Sequence, residues 1–328
     1  MNSVRVLSIA DIRAAAGRIA AYATVTPVLV SPALDEFAGA QLHFKCEHLQ
    51  RGGAFKFRGA CNAVWTLSDE QAKRGVVTHS SGNHGAALAL AGGTRRVPAH
   101  VVVPEGAVRA KLANIEAAGA ILHRCAPTLA AREETAARIQ RETGATLVHP
   151  YADPNVIAGQ GTVALELLQQ VPGLDALIAP LGGGGLLSGC AIVTRALSPD
   201  IELIGAEPAG ADDAWQSLQR GERALDVVAP DTICDGLRAT IGAINFDLLR
   251  HYRAEVMTVS DEQTLAAMRS LWLHLKQTVE PSSSIVLAAL LAHRERFHGK
   301  RVGLILSGGN VDFDALPFTT EENTQHAH

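Results

Sequence analysis

The amino-acid sequence predicts an α/β fold in which parallel sheets are covered by helices on both faces. Short apolar runs rich in β-branched residues recur along the 328 residues, and longer alanine-rich stretches separate them. Uninterrupted apolar runs are typical of strands buried on both faces, because such strands have no side that faces water. We therefore expect a doubly wound architecture, in which ligands bind at the carboxyl ends of the strands.

The predicted elements alternate in the order that this architecture requires. A strand at 75–79 precedes a helix at 86–91, and a strand at 99–104 precedes a helix at 109–115. Further strands are predicted at 120–123, 176–180, 202–206 and 302–307.

Composition excludes several classes of protein. Hydrophobic residues make up 47% of the chain and charged residues 19%, which supports a sizeable core and rules out a disordered chain. The net charge of −4 and the 4% aromatic content argue against a nucleic-acid partner. No run of about 18 uncharged apolar residues occurs, so no membrane partner is expected. Five scattered cysteines without a C-x-x-C pair favour reduced thiols and a cytoplasmic location.

Three predicted strands lead into polar or glycine-rich turns, at 80–85, 182–185 and 307–310. Such turns meet at one edge of a parallel sheet, which predicts an anionic ligand held from several sides. The turn at 182–185 is four consecutive glycines before an apolar helix, and its free N–H groups suit a phosphate. The alternative is a flexible connection. Because each glycine costs about 0.5–1 kcal/mol in ordering entropy relative to alanine, we favour phosphate binding.

Lys56 lies between two phenylalanines, Phe55 and Phe57. A lysine in this setting ordinarily extends along apolar surface and exposes its amine to water. The functional alternative is an amine whose pKa falls because its neighbours exclude water, which makes it a nucleophile toward an aldehyde. Taken alone, the stretch favours the ordinary interpretation.

Several separated motifs, taken together, reverse that interpretation. They are Gly53-Ala54-Phe55-Lys56-Phe57-Arg58-Gly59-Ala60, the turns at 80–85, 182–185 and 307–310, His149-Pro150, the stretch 159–162 and Glu280-Pro281. In these motifs and their order the chain resembles the fold-type II pyridoxal-phosphate enzymes. Within them it is most similar to the serine/threonine dehydratase and serine racemase family, including 3-hydroxyaspartate dehydratases. One departure is Ala54, where the family usually has serine.

The resemblance implies pyridoxal 5'-phosphate as the cofactor. Lys56 would bind the cofactor aldehyde covalently and later move the proton of the substrate α-carbon, while Phe55 would lie against the cofactor ring. Asn83 would hydrogen-bond the phenolic oxygen of the ring, and Ser307 would face the pyridine nitrogen. A neutral hydroxyl does not hold that nitrogen protonated, so the ring is a weaker electron sink, which suits loss of a β-substituent. The phosphate would be bound by the backbone N–H groups of Gly182, Gly183, Gly184, Gly185 and Leu186.

The loop after the first predicted strand is implied to bind the substrate α-carboxylate, through Ser80, Ser81, Asn83 and His84. The implied reaction is elimination of water from L-serine, L-threonine or 3-hydroxyaspartate, which gives a 2-oxo acid or imine plus ammonia. Serine racemases carry a serine at position 81 as an acid–base group opposite the lysine, whereas dehydratases commonly carry alanine. Ser81 is thus either a second catalytic group, with racemisation as the alternative activity, or a carboxylate donor only.

Arg132 matches an arginine that serine racemases direct at the distal end of a dicarboxylate ligand. If it points inward, 3-hydroxyaspartate is favoured over threonine. The alternative is an exposed helix arginine paired with Glu133 or Glu134. Ala239 stands where racemases have a partner serine, which weakens the racemase interpretation.

An acidic segment follows the predicted strand at 202–206. The resemblance implies a divalent cation there, Mg²⁺ or Ca²⁺, bound by the carboxylates of Glu207 and Asp213 and the carbonyl of Ala211. The alternative is a helix-capping turn that Asp212 or Asp213 supplies alone.

Family architecture implies two domains with the cofactor between them, and a homodimer. The large cofactor-binding domain would comprise 1–70 and 153–328, and the small mobile substrate domain would comprise 71–152. Closure of the small domain on the substrate would exclude water. A non-catalytic binder of the cofactor or of amino acids is the alternative from another class, and the intact lysine argues against it.

Overall fold

The computed structural model describes residues 7–107, 109–224 and 229–311, and these ranges form the α/β fold that the sequence predicts. The strands within them are β1 (Val28–Leu29), β2 (Gln41–Cys46), β3 (Val76–Thr78), β4 (Ala99–Pro104), β5 (Ile121–Cys125), β6 (Thr146–Leu147), β7 (Ala176–Pro180), β8 (Glu202–Pro208), β9 (Glu255–Val259) and β10 (Arg301–Leu306). The helices within them are α1 (Ile9–Ile19), α2 (Pro32–Ala38), α3 (Lys56–Thr66), α4 (Asp69–Arg74), α5 (Asn83–Arg95), α6 (Arg109–Ala117), α7 (Leu129–Thr143), α8 (Pro154–Gln170), α9 (Gly185–Leu197), α10 (Asp213–Arg220), α11 (Ala243–His251), α12 (Asp261–Ser270), α13 (Pro281–Ala292) and α14 (Arg294–Phe297).

The strands form two sheets. The large sheet has the order β1-β2-β10-β7-β8-β9, and all its neighbours are parallel except β1 and β2. The small sheet has the order β5-β4-β3-β6 and is parallel throughout. The strands of the small sheet all come from 76–147, whereas the large sheet takes its strands from both sides of that stretch.

The large sheet has a hydrophobic core on each face. Along β7, Leu177 and Ala179 face one core, while Ala176 and Ile178 face the other. Helices α1, α8 and α9 cover the first face, and α12 and α13 cover the second. Because successive side chains of a strand point to opposite faces, a strand between two cores is apolar along its whole length. This burial explains the uninterrupted apolar runs of the sequence.

All six predicted strands are present, and the one at 176–180 has the bounds of β7. The predicted helices at 86–91 and 109–115 lie within the longer α5 and α6. Of the strand boundaries that differ from the prediction, the end of β8 bears on the site: β8 continues to Pro208, so Glu207 lies inside the strand and not in the turn after it.

Four strands were not predicted, for identifiable reasons. β1 and β6 have two residues each, which is too short for a periodic pattern. β2 contains Lys45, a fully buried lysine whose charge interrupts the apolar run. β9 lies at the edge of its sheet and is only partly buried. None of the described helices is both long enough and apolar enough to cross a membrane.

Candidate active site

The amine of Lys56 lies inside the protein. Lys56 is the first residue of α3, and its Nζ donates a hydrogen bond to the carbonyl of Pro150 at 3.0 Å. The ring of Phe55 lies 5.1 Å from the same nitrogen. Burial lowers the pKa of the amine to about 8, although the carboxylate of Glu280 acts in the opposite direction. An amine with this pKa is still mostly protonated near physiological pH, but its neutral fraction is far larger than that of an ordinary lysine, and that fraction can attack an aldehyde.

The start of α3 is fixed against the end of β10. The backbone N–H of Phe55 donates to the carbonyl of Ser307 at 3.0 Å, and Ala54 forms a β-bridge with Gly308. Ser307 is 4% exposed. The predicted lysine and the predicted serine therefore come together at the carboxyl end of a central strand of the large sheet.

Asn83, the first residue of α5, is held by a small polar network. Its amide nitrogen donates to both carboxylate oxygens of Glu280, at 3.0 and 3.2 Å. Its amide oxygen accepts from Asn310 Nδ2 at 2.9 Å. The backbone N–H of Glu280 in turn donates to the carbonyl of Gly308. The network joins the loop after β3 to the loop after β10, next to the Lys56 amine.

The four glycines between β7 and α9 are completely enclosed by other parts of the chain. A Cβ atom at Gly182 would lie 2.8 Å from Cα of Leu237, and one at Gly184 would lie 2.8 Å from Cβ of Asn245. A Cβ at Gly183 would overlap the ring of Tyr151, and Gly184 has φ +91°. The loop therefore requires glycine for close packing. Leu186, in the first turn of α9, is also buried.

This loop is built as an anion site. Within the described parts of the chain, the N–H groups of residues 182–184 donate to no backbone carbonyl. They precede the N-terminus of α9, where further N–H groups lack partners inside the helix. Unpaired N–H groups at a helix N-terminus bind phosphate.

The loop after β3 brings His84 close to the lysine. His84 is buried, and its Nε2 lies 3.3 Å from the carbonyl of Val148. Burial lowers the pKa of His84 well below its usual value, and the charge of Lys56 acts in the same direction. Ser80 and Ser81 are half-buried in the same loop. Of the predicted carboxylate-binding residues, His84 thus lies within range of the charge of the amine, and Asn83 is linked to it through Glu280.

Arg132 is half-buried in α7. Its Nε is buried and has no hydrogen-bond partner among the described residues. Its charge acts on His79, which follows β3, and on Tyr151, whose ring lies against Gly183. The direction of this arginine toward a dicarboxylate ligand stays a prediction.

The acidic segment at the end of β8 is buried. Glu207 Oε1 accepts from the N–H of Ala214 at 2.9 Å, and Oε2 accepts from Trp215 at 2.8 Å. Asp213 Oδ2 accepts from the N–H of Ile241 at 2.8 Å. Burial raises the pKa of Glu207 to about 9. Glu207 therefore caps α10, whereas the capping turn considered as the alternative to a metal site would have used Asp212 or Asp213.

The structure adds contact residues that the sequence analysis missed. Asn245 is fully buried in α11 and donates to the carbonyls of Gly183 and Tyr151. Tyr151 and Pro150 provide the surface that joins the glycine loop to Lys56. Asn245 lies between apolar residues in α11, but other polar residues of that helix, such as Asp247, gave it no distinct signal in the sequence. The sequence around Tyr151 gave no indication of its contacts, because its partners Gly183 and Asn245 lie far away in the sequence.

A nucleophilic amine beside an anion cradle, at the carboxyl ends of parallel strands, defines an enzyme that holds a phosphorylated carbonyl compound. Comparison with known proteins gives the family. The model of the family described as "Pyridoxal-phosphate dependent enzyme" matches residues 19–308, and the chain belongs to that family.

Relatives of known function are similar over nearly the whole chain. The β-hydroxyaspartate dehydratase of Paracoccus denitrificans is 47% identical over 94% of this chain and 98% of its own. The serine racemase of Arabidopsis thaliana is 46% identical over 94% of each chain. Among solved structures, maize serine racemase has a TM-score of 0.92 at 44% identity, with 94% of this chain and 95% of that chain covered. The serine racemase of Dictyostelium discoideum has a TM-score of 0.89 at 45% identity, with 94% and 99% covered. A threonine deaminase has the same TM-score at 43% identity.

The residues present fit the cofactor of this family. The glycine cradle excludes side chains and offers N–H groups to a phosphate, and the Lys56 amine has a lowered pKa suited to an aldehyde. A divalent cation has weaker support, because the described residues include no group of three or more His, Cys, Asp or Glu that could hold a metal ion.

Proposed function

We propose that this protein is a pyridoxal-phosphate-dependent ammonia-lyase that eliminates water from 3-hydroxyaspartate. The observation that carries the proposal is the buried Lys56 amine, which donates to the carbonyl of Pro150, the residue before the Tyr151 ring that packs on the glycine loop. Arg132, whose Nε is buried without a partner among the described residues, supports the substrate class. The β-hydroxyaspartate dehydratase among the relatives supports it as well.

Each residue has a distinct task in this proposal. Pyridoxal phosphate, when bound, withdraws electrons from the α-carbon of the amino acid joined to it. The backbone at 182–185 and Leu186 bind the phosphate, Phe55 and Asn83 orient the ring, and Ser307 faces its nitrogen as a neutral partner. The neutral Lys56 amine takes the proton from the substrate α-carbon.

The substrate is held at both ends. Ser80, Ser81, Asn83 and His84 bind the α-carboxylate, and the guanidinium of Arg132 binds the β-carboxylate. Loss of the α-proton and of the β-hydroxyl releases water and an enamine, which becomes an imine. Hydrolysis of that imine gives a 2-oxo acid and ammonia.

Racemisation is the second candidate activity, because Ser81 is present and serine racemases are among the relatives. Lys56 and Ser81 would move the α-proton from opposite faces. We expect Ser81→Ala to lower the racemisation rate of L-serine by about a hundredfold, and to lower elimination only by the smaller factor that loss of one carboxylate donor causes. Ser80→Ala serves as the matched loop variant, since it should affect both reactions alike. An equal loss of both reactions in Ser81→Ala argues against a two-base pair.

Several further properties complete the proposal. A Mg²⁺ or Ca²⁺ ion would neutralise the buried carboxylates of Glu207 and Asp213, with the Ala211 carbonyl as a third ligand. The separate small sheet supports a mobile substrate domain at 71–152. The homodimer and the cytoplasmic location stay predictions.

A substrate panel tests the proposal. The purified holoenzyme is assayed with 3-hydroxyaspartate, L-serine and L-threonine, with and without EDTA, and both the 2-oxo acid and the D-enantiomer are measured. The expected result is a 2-oxo acid from 3-hydroxyaspartate with the highest kcat/KM. Formation of D-serine without any 2-oxo acid would instead make the protein a racemase.

A further inference from the structure

Three aromatic rings form a column between the loop after β3 and the glycine loop. The rings of His79 and His149 lie 5.3 Å apart at 79°, and those of His149 and Tyr151 lie 4.6 Å apart at 89°. Tyr151 is the end of the column that lies against Gly183. Neither its ring nor its hydroxyl has a task in the proposed reaction.

Tyr151 is held in place from several directions. Asn245 Nδ2 donates to its carbonyl at 3.1 Å, and the N–H of the following residue, Ala152, donates to His149 Nδ1 at 3.0 Å. The Tyr151 ring occupies the space that a side chain at Gly183 would need. The phenol therefore has a fixed position, which is what a residue that selects a substrate requires.

The charged groups that act on this phenol belong to elements beside the small sheet and to elements beside the large sheet. Burial raises the pKa of Tyr151, and the carboxylates of Asp213 and Glu133 act in the same direction. The guanidinium groups of Arg132 and Arg223 act in the opposite direction. Arg132 belongs to α7, beside the small sheet, whereas Arg223 follows α10, beside the large sheet.

The two arginines have N–H groups available for an anion. The Nε of Arg132 is buried without a partner among the described residues. Arg223 uses Nη1 in a long bond to the carbonyl of Ile241, at 3.4 Å, and a guanidinium has five N–H donors. Glu133 is exposed, so water screens its charge, and the carboxylate of Asp213 accepts from Ile241 N–H.

We infer that Tyr151 is a specificity-determining residue whose hydroxyl donates a hydrogen bond to the second carboxylate of a dicarboxylic substrate, between Arg132 and Arg223. The inference rests on the proposed function for the identity of that substrate. A phenol that served packing alone would be replaced by phenylalanine without effect, since the ring is kept. The hydroxyl is therefore the group to remove.

The experiment compares wild type with Tyr151→Phe and Arg223→Gln. Binding of succinate and of butyrate, an unreactive dicarboxylate and a monocarboxylate of equal length, is measured by calorimetry on the holoenzyme. In both variants we expect succinate to bind about 10- to 100-fold more weakly and butyrate to bind as in wild type, because each loses one hydrogen bond to a carboxylate. Tyr252→Phe, at the end of α11 and outside the site, is the matched control.

The same variants are also compared by their kcat/KM values for two substrates. In Tyr151→Phe, kcat/KM for 3-hydroxyaspartate should fall by a similar factor, while kcat/KM for L-serine stays within about twofold. Unchanged succinate affinity and an unchanged ratio of the two kcat/KM values would overturn the inference. If the wild type eliminates water from neither amino acid, the proposed function fails, and the succinate measurement still decides the role of Tyr151.

Discussion

Arg58 and Glu47 face each other through two short hydrogen bonds, 2.7 Å from Nε to Oε2 and 2.8 Å from Nη2 to Oε1, with both side chains fully buried. The same guanidinium donates to both oxygens of Glu166, which also accepts from Lys45. Two cations and two anions thus neutralise each other inside the protein. Because Arg58 lies in the first turn of α3, this cluster fixes the segment that carries Lys56.

Removing one member of this cluster should destabilise the protein strongly. Arg58→Met leaves two carboxylates without their shared cation, and the free energy of unfolding should fall by about 3–5 kcal/mol. Arg138→Met breaks the exposed pair with Glu142 and should cost less than about 1 kcal/mol. Urea unfolding of both variants measures the difference. Similar losses in the two variants would show that burial of the cluster has no special effect.

The lowered pKa of Lys56 predicts a pH dependence for attachment of the cofactor. The cofactor-free protein should bind pyridoxal phosphate covalently at a rate that rises with pH, passes its midpoint near 8 and levels off once the amine is fully neutral. An ordinary lysine reaches this state only above its usual pKa, 10.5. Borohydride reduction followed by peptide mass spectrometry measures labelling at each lysine.

Lys73 serves as the internal control in that experiment, because it is exposed on α4. Its labelling shows how an exposed amine responds to the same pH series. Parallel profiles for the two lysines would mean that burial does not lower the pKa of Lys56.

A divalent cation should stabilise the protein through the buried acidic segment. Adding Mg²⁺ or Ca²⁺ to EDTA-treated protein should raise its melting temperature, because a cation that binds only the folded state stabilises it. Asp213→Asn should abolish the increase. Asp212→Asn should retain it, since that carboxylate accepts from Gln216 and lies outside the expected ligand set. If the wild type melts at the same temperature with and without either cation, the proposed metal site is wrong.

The sequence predicted the central strands well, because burial on both faces makes a strand apolar throughout. The strand at 176–180 is the clearest case, since its residues alternate between two cores. Peripheral strands were missed where exposure, shortness or a buried charge broke the pattern. Lys45 in β2 is such a charge, and its contacts with Thr26, Glu166 and Gln170 explain its burial.

The site was predictable in its motifs but not in its contacts. The glycine loop and the lysine stand out in the sequence, whereas the packing of Tyr151 on Gly183 depends on how the two sheets meet. Glu207 shows the same limit. It lies in β8, and its carboxylate caps α10, whereas the local sequence offered only Asp212 or Asp213 as capping residues.

Spectroscopy of Lys56→Ala tests the central claim most directly. Purified wild type incubated with pyridoxal phosphate should show a visible absorbance band, and borohydride reduction should leave the cofactor attached to Lys56. Lys56→Ala should lose both signals, whereas Lys73→Ala, which changes an exposed lysine, should keep them. A colourless wild type, or a band that survives in Lys56→Ala, would contradict the account.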